Sequence, residues 1–305
     1  MTTRSSSSTR RETIGGLLVG VSALQFGLVV LLGKFVRRHG LSVEAMLSIR
    51  FGLGAVLLAA ALIVLRRPLL AAPGERAGLA ILALVGYAVE ATFFFTALGH
   101  GTVAAVTLLF FTYPVLVTLG TWAIGRGTPA RQTILALGCA LVGSAIVVGT
   151  GAGLQIETLG VVLALASATT FTGYLIGADV VLRRTNALTS AMWVSAGASI
   201  GLFLYANAIG RWRLPAGSHE WFLLVGMGLA SAGAFVCLME GIQRIGAVRT
   251  AIVSALEPLA AATLAWVFLG EDVTWGIAVG GTLILVAAVA ASLARAATPQ
   301  EQQIP

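Results

Sequence analysis

Long apolar runs alternate with short polar or turn-forming clusters along almost the whole chain. A helix that crosses hydrocarbon needs roughly 17–25 mainly apolar residues. Ten such runs can be marked, at about 13–34, 42–65, 77–99, 102–124, 131–149, 157–179, 187–209, 219–242, 246–270 and 272–295. Clusters such as Arg66-Arg67-Pro68, Gly125-Arg126-Gly127-Thr128-Pro129 and Gly210-Arg211-Trp212-Arg213 separate them. Connections this short predict an all-α polytopic membrane protein of ten transmembrane helices with no soluble domain. Residues 1–12 and 296–305 are polar and read as disordered cytoplasmic tails.

Composition strengthens the pattern. Apolar residues make up 58% of the 305-residue chain and charged residues 10%, where a soluble domain carries about 25% charged residues. With a mean hydropathy of +0.96, too little polar surface is left for water, so a lipid bilayer is the expected solvent. The net charge of +7 comes from arginines placed between apolar runs rather than on one basic face, which argues against nucleic acid. Cys139 and Cys237 fall inside apolar runs without disulfide or metal-ligand spacing, and read as small buried hydrophobes. The first run, Thr13 to Leu32, is followed by Lys34, Arg37 and Arg38 where a cleavage site would stand. It therefore reads as a membrane helix and not as a cleaved signal.

With the N-terminus inside, thirteen arginines fall in cytoplasmic segments and five lysines or arginines in outside segments. That excess, with an even number of spans, predicts both termini in the cytoplasm.

Weak self-similarity appears at an offset of about 145 residues. Gly15, Leu18, Ser22, Ala23 and Phe26 match Gly160, Leu163, Ser167, Ala168 and Phe171. Gly101 matches Gly246, and Pro114 and Trp122 match Pro258 and Trp266 with one residue fewer between. The repeats are placed at residues 13–150 and 155–295. Each holds five helices, an odd number, so the second must enter the membrane from the opposite face. Inverted repeats create two packings of near-equal energy with a site between them near the midplane. A carrier needs that architecture; a fixed enzyme or anchor does not.

Polar groups inside spans cost free energy and so mark candidate sites. In the first helix Ser22, Gln25, Phe26 and Val29 share a face, and the related face of the sixth carries Ser167, Thr170, Phe171 and Tyr174. Hydrogen bonding between packed helices would use the same hydroxyls. Tyr87, Glu90, Phe94 and Ala97 share a face of the third helix, and Glu257 lies deep in the ninth beside Ser254. A carboxylate at such depth stays protonated, pairs with a cation or faces water. Pro114 and Pro258 interrupt matching helices, freeing the carbonyls of Phe110 and Ser254, and are read as hinges. Arg50 is about eight residues into the second helix, close enough to the end to snorkel, and is given an architectural role. Four GxxxG spacings, among them Gly197–Gly201, are expected by chance in a chain with 37 glycines.

Enzyme signatures are missing. Gly197-Ala198-Ser199-Ile200-Gly201 fits a nucleophile elbow only as a string, because it lies inside a spanning helix. Gly149-Thr150-Gly151-Ala152-Gly153 lacks the spacing of a dinucleotide loop, and there is no HExxH or Walker sequence. No catalytic residue, metal or cofactor is assigned.

Leu256-Glu257-Pro258, then Phe268-Leu269-Gly270-Glu271-Asp272-Val273-Thr274 and the Gly280-Gly281 helix, resemble the second repeat of EamA-type carriers of the drug/metabolite transporter superfamily. Ser48-Ile49-Arg50-Phe51 is similar to that family's arginine-bearing second helix. In the first half Ile124-Gly125-Arg126-Gly127 stands where a Gly-Glu pair would be expected, so Glu271 is given no role beyond ending a helix. The resemblance implies helices 1, 3, 4, 6, 8 and 9 around a central cavity and export of amino acids, metabolites or drugs without ATP hydrolysis. Within the superfamily the chain looks most like the bacterial aromatic amino-acid exporters.

The expected activity is export of an aromatic or other apolar amino acid by alternating access. Its substrate-binding residues are Gln25, Tyr87, Glu90, Phe94, Phe171, Tyr174, Ser254 and Glu257. Drugs, lipids or sugar derivatives are the nearer alternative substrates, and a non-transporting sensor or scaffold the more distant one. The oligomeric state stays open between monomer and homodimer.

Overall fold

The computed structural model describes residues 3–125, 131–149, 156–181, 184–254 and 256–297. Among these the chain is helical throughout, apart from one isolated bridge between Gly101 and Ile156. The first five apolar runs form α1 (Thr3–Arg38), α2 (Val43–Val64), α3 (Arg76–Ile81) with α4 (Ala88–Ala97), α5 (Val103–Phe110) with α6 (Tyr113–Ala123), and α7 (Arg131–Gly149). The rest form α8 (Thr158–Val181), α9 (Ala187–Ala208), α10 (Ser218–Ser254), α11 (Leu256–Leu269) and α12 (Trp275–Ala297). Seven of the described helices are long and apolar enough to cross a membrane, and Leu256–Leu269 and Trp275–Ala287 are shorter apolar helices.

Local chemistry sets the helix starts. Ser42, Thr102 and Asn186 are N-caps whose side chains accept from the backbone N–H groups of Ala45, Ala105 and Thr189. Gly40, Gly210 and Gly270 follow or adjoin helix ends with positive φ, where a Cβ would be strained.

Three expectations are corrected. The first helix begins at Thr3, not Thr13, because extending an existing helix needs no new nucleus; residues 298–305 lie outside the described residues, as do the repeat limits 150 and 155. The break expected near residues 243–245 is absent, and α10 runs on to Ser254. Arg244 is paired there with Glu240 one turn earlier, at 3.1 Å, and no proline intervenes to stop the helix. Residue 255 lies outside the described residues, and α11 is described from Leu256. Finally, Cys139 is not buried but lies on the exposed face of α7.

The apolar stripes face outward as well as inward. Leu17, Val56, Ile63, Leu135 and Phe222 are all more than half exposed, a surface that suits lipid and not water. On α1, Leu17, Leu24 and Leu28 take that outer face while Ser22, Ala23 and Val29 are buried.

Packing partners cross between the halves. Helix α1 packs on α10 and α11, α2 on α9, α4 on α8, α5 on α11 and α7 on α12. At one end Lys34 pairs with Glu271 and donates to Gly101 O at 3.1 Å, Glu271 also accepts from Val103 N at 2.7 Å, and Ser42 Oγ donates to Arg211 O at 2.9 Å. At the other end Glu75 accepts from Arg184 N (2.7 Å), Thr185 N (2.9 Å) and Thr185 Oγ1 (2.6 Å). Each end of the bundle is thus tied by its own set of connections.

Candidate functional site

Two helix irregularities lie around one region. Leu82–Tyr87 is a π-helical segment between α3 and α4, a widening often found at functional positions. It is accommodated by α9, where a Cβ on Gly197 would come 2.5 Å from Ala83 Cβ and one on Gly201 2.8 Å from Leu84 O. The GxxxG spacing here serves packing within the chain. The α5–α6 span breaks at Phe111-Thr112, and Pro114 sits in the first turn of α6. Its repeat counterpart Pro258 is buried in α11, three residues past the undescribed residue 255.

The irregular turns carry aromatic residues into a continuous ladder. Phe26 of α1 meets Phe235 of α10 edge-on at 5.5 Å, and Phe235 meets Tyr87 at 6.1 Å. Tyr87 contacts Tyr174 of α8 at 5.2 Å, and Tyr174 stacks on Phe171 at 5.9 Å. Phe171 then meets Tyr113 at 4.9 Å and Phe110 at 5.4 Å, and Phe110 reaches Phe94 at 5.2 Å. Edge-to-face and offset contacts of this kind are each favourable. Four residues named from sequence, Tyr87, Phe94, Phe171 and Tyr174, are therefore brought together.

Polar groups border the ladder. Glu90 is buried in α4, and its Oε1 accepts from Ser167 Oγ of α8 at 3.0 Å. Glu257 interacts electrostatically with Glu90 and Arg50, so the two deep acids face one region. Gln25 is close by on α1: a Cβ on Gly233 would come 2.6 Å from its Nε2, and its Oε1 is enclosed without a hydrogen-bond partner. Buried side-chain acceptors normally find donors. Ser254, the last residue of α10, is half-buried and makes no hydrogen bond among the described residues, so nothing ties it to the ladder.

Several members had no distinct signal in the sequence. Phe235, Phe51, Phe110 and Tyr113 are aromatics inside wholly apolar runs, where periodicity gives no contrast. Arg50 had a signal but received an architectural role. Instead of snorkelling, it is 3% exposed, donates from Nε to Ser231 Oγ at 2.9 Å, and lies over the rings of Phe51 (4.5 Å) and Phe95 (5.3 Å). Glu271 likewise does more than end a helix, since it caps α5 and holds Lys34 of α1.

The repeat-related positions share environments. Ser22 and Ser167 are both buried and each bonds across to another helix, to Ala234 O at 2.8 Å and to Glu90. Trp122 and Trp266 are both more than half exposed. A profile of the EamA-like transporter family matches residues 13–149 and again residues 158–293. The chain belongs to the EamA-like transporter family.

Relatives of this EamA-like protein agree. An uncharacterised transporter of Synechocystis is 29% identical over 176 residues, 56% of this chain and 52% of that one, so the match spans about half of that relative's length. An uncharacterised transporter of Bacillus subtilis is 25% identical over 227 residues, 74% of this chain and 75% of that one. A solved crystal structure shares the fold with a TM-score of 0.67 at 21% identity, covering 93% of this chain and 99% of the other. Family and relatives point to a multi-pass membrane transporter of small molecules and not to an enzyme.

Proposed function

We propose that the protein exports small metabolites across a bacterial inner membrane, amino acids with aromatic or apolar side chains above all, by alternating access. The observation that carries this reading is the ring ladder from Phe26 to Phe94, bordered by Glu90, Glu257 and the unpartnered Gln25 Oε1. Rings offer an apolar aromatic surface, while the acids and amide offer acceptors for an ammonium. One ligand with both parts satisfies both.

The packing supports the mechanism. Exchanging each half for the other maps the pair α1–α10 onto α8–α4, and leaves α2–α9, α5–α11 and α7–α12 unchanged. Such self-mapping is what two repeats of opposite orientation produce, and it gives the pair two related packings. Ten spans with both termini cytoplasmic complete the proposal, and Pro114 and Pro258 supply the hinges.

Radiolabelled amino-acid flux in proteoliposomes tests it. Wild type should carry L-phenylalanine down a gradient, with other apolar amino acids competing. Glu90→Gln combined with Glu257→Gln should lower the rate at least about tenfold, a change of the size seen when a charge-assisted contact is lost. Equal flux in both proteins would remove the two acids from the mechanism.

A further inference from the structure

Several other charged side chains drawn into the interior have their hydrogen-bonding groups taken up, whereas Arg50 keeps most of its donors free. Glu75 takes three donors, Glu90 takes Ser167, Lys34 takes Glu271, and Glu44 lies 3.7 Å from Arg211. The Nε of Arg50 is fixed by Ser231, which is itself anchored on Met227 O at 2.8 Å, and the Cζ of Arg50 lies over the rings of Phe51 and Phe95. Among the described residues no carboxylate lies within ion-pair distance, and neither Nη makes a hydrogen bond. A guanidinium carries five N–H donors in a fork matched to a carboxylate, and here only one of them is used.

The residue is thus held at Nε and by two neighbouring rings, with its Nη groups unused. An architectural arginine would be expected to spend its donors on backbone carbonyls or a carboxylate. Arg37 does this, donating to Phe95 O at 2.6 Å at the end of α4. Arg50 belongs instead to the polar border of the ladder: it interacts electrostatically with Tyr87, Glu90 and Glu257, and its clamp ring Phe51 touches Tyr87 at 5.5 Å.

We propose that Arg50 is the anion-binding residue of the transport site and receives the substrate's carboxylate through its free Nη edge. The transported class is then small metabolites that carry a carboxylate. This rests on the reading of the ring ladder as the transport site. A carboxylate on Arg50 directs an ammonium toward Glu90 and Glu257 and an apolar side chain onto Tyr87.

Binding to the purified full chain tests this with three probes: L-phenylalanine, 3-phenylpropionate, which lacks the ammonium, and L-phenylalanine methyl ester, which lacks the carboxylate. Arg50→Gln should weaken both carboxylates about tenfold or more and change the ester by less than about twofold, because only the former use the fork. Should Arg50→Gln fail to fold, Ser231→Ala keeps the charge and frees the clamped edge. It should weaken the two carboxylates several-fold while sparing the ester. Arg50-dependent binding of 3-phenylpropionate without binding of L-phenylalanine would overturn the amino-acid reading and leave Arg50 as the anion site. Equal losses for all three probes would make Arg50 a structural counter-charge, and would overturn the proposal. So would wild-type protein that binds neither carboxylate.

Discussion

Glu90 is held in the interior by a single side-chain donor, Ser167 Oγ, whereas the repeat-related Ser22 spends its hydroxyl on a backbone carbonyl. The two serines should therefore fail differently. Ser167→Ala leaves a carboxylate without its donor beside the ladder, and should lower substrate affinity about tenfold, a hydrogen bond to a charged group being worth about 1.5 kcal/mol or more. Ser22→Ala removes a packing bond and should lower the thermal midpoint with affinity unchanged. Binding titrations and melting curves of the two variants check both arms. Residues of this kind were legible in the sequence because a polar group in an apolar run stands out, and Gln25, Glu90 and Glu257 were all found that way. Phe235 and Tyr113 were not legible, since one more aromatic in a hydrophobic helix looks like any core residue. Arg50 was misjudged because snorkelling treats a helix alone, while Phe51, Phe95 and Ser231 pack over it.

At the scale of elements, a polar cluster does not always mark a break. Gln243-Arg244-Ile245-Gly246 looked like a loop, yet α10 continues through it. Pro114 opens α6 beside the ladder. Restoring the N–H with Pro114→Ala should let α5 and α6 join into one stiffer rod. Transport rate should fall while substrate affinity is kept, as counterflow compared with equilibrium binding would show. A Cβ on Gly233 would press on Gln25 Nε2, so Gly233→Ala should displace the amide and weaken binding without unfolding α10. The π segment Leu82–Tyr87 left no trace in periodicity, because one extra residue per turn over six residues is too brief to shift an apolar pattern.

For the molecule as a whole, the chain's two ends are tied by different chemistry. Glu75 clasps Arg184 and Thr185 at one end, and Lys34 holds Glu271 at the other. Glu75→Ala leaves two backbone N–H groups and a hydroxyl without their acceptor and should destabilise the protein by about 3 kcal/mol, read as a lower thermal midpoint in detergent. A membrane bundle of two repeats could be read from apolar runs and a constant offset, because lipid imposes that pattern on the whole chain. Which side chains meet at the centre could not be read, since helix pairing across the halves is a tertiary matter.

Alternating access is tested most directly by the reach of membrane-impermeant thiol reagents to Phe171→Cys in a background without Cys139 and Cys237. The account predicts labelling from each side of the membrane in turn, with saturating L-phenylalanine shifting the balance between the two. Labelling from one side alone, unchanged by substrate, would contradict it.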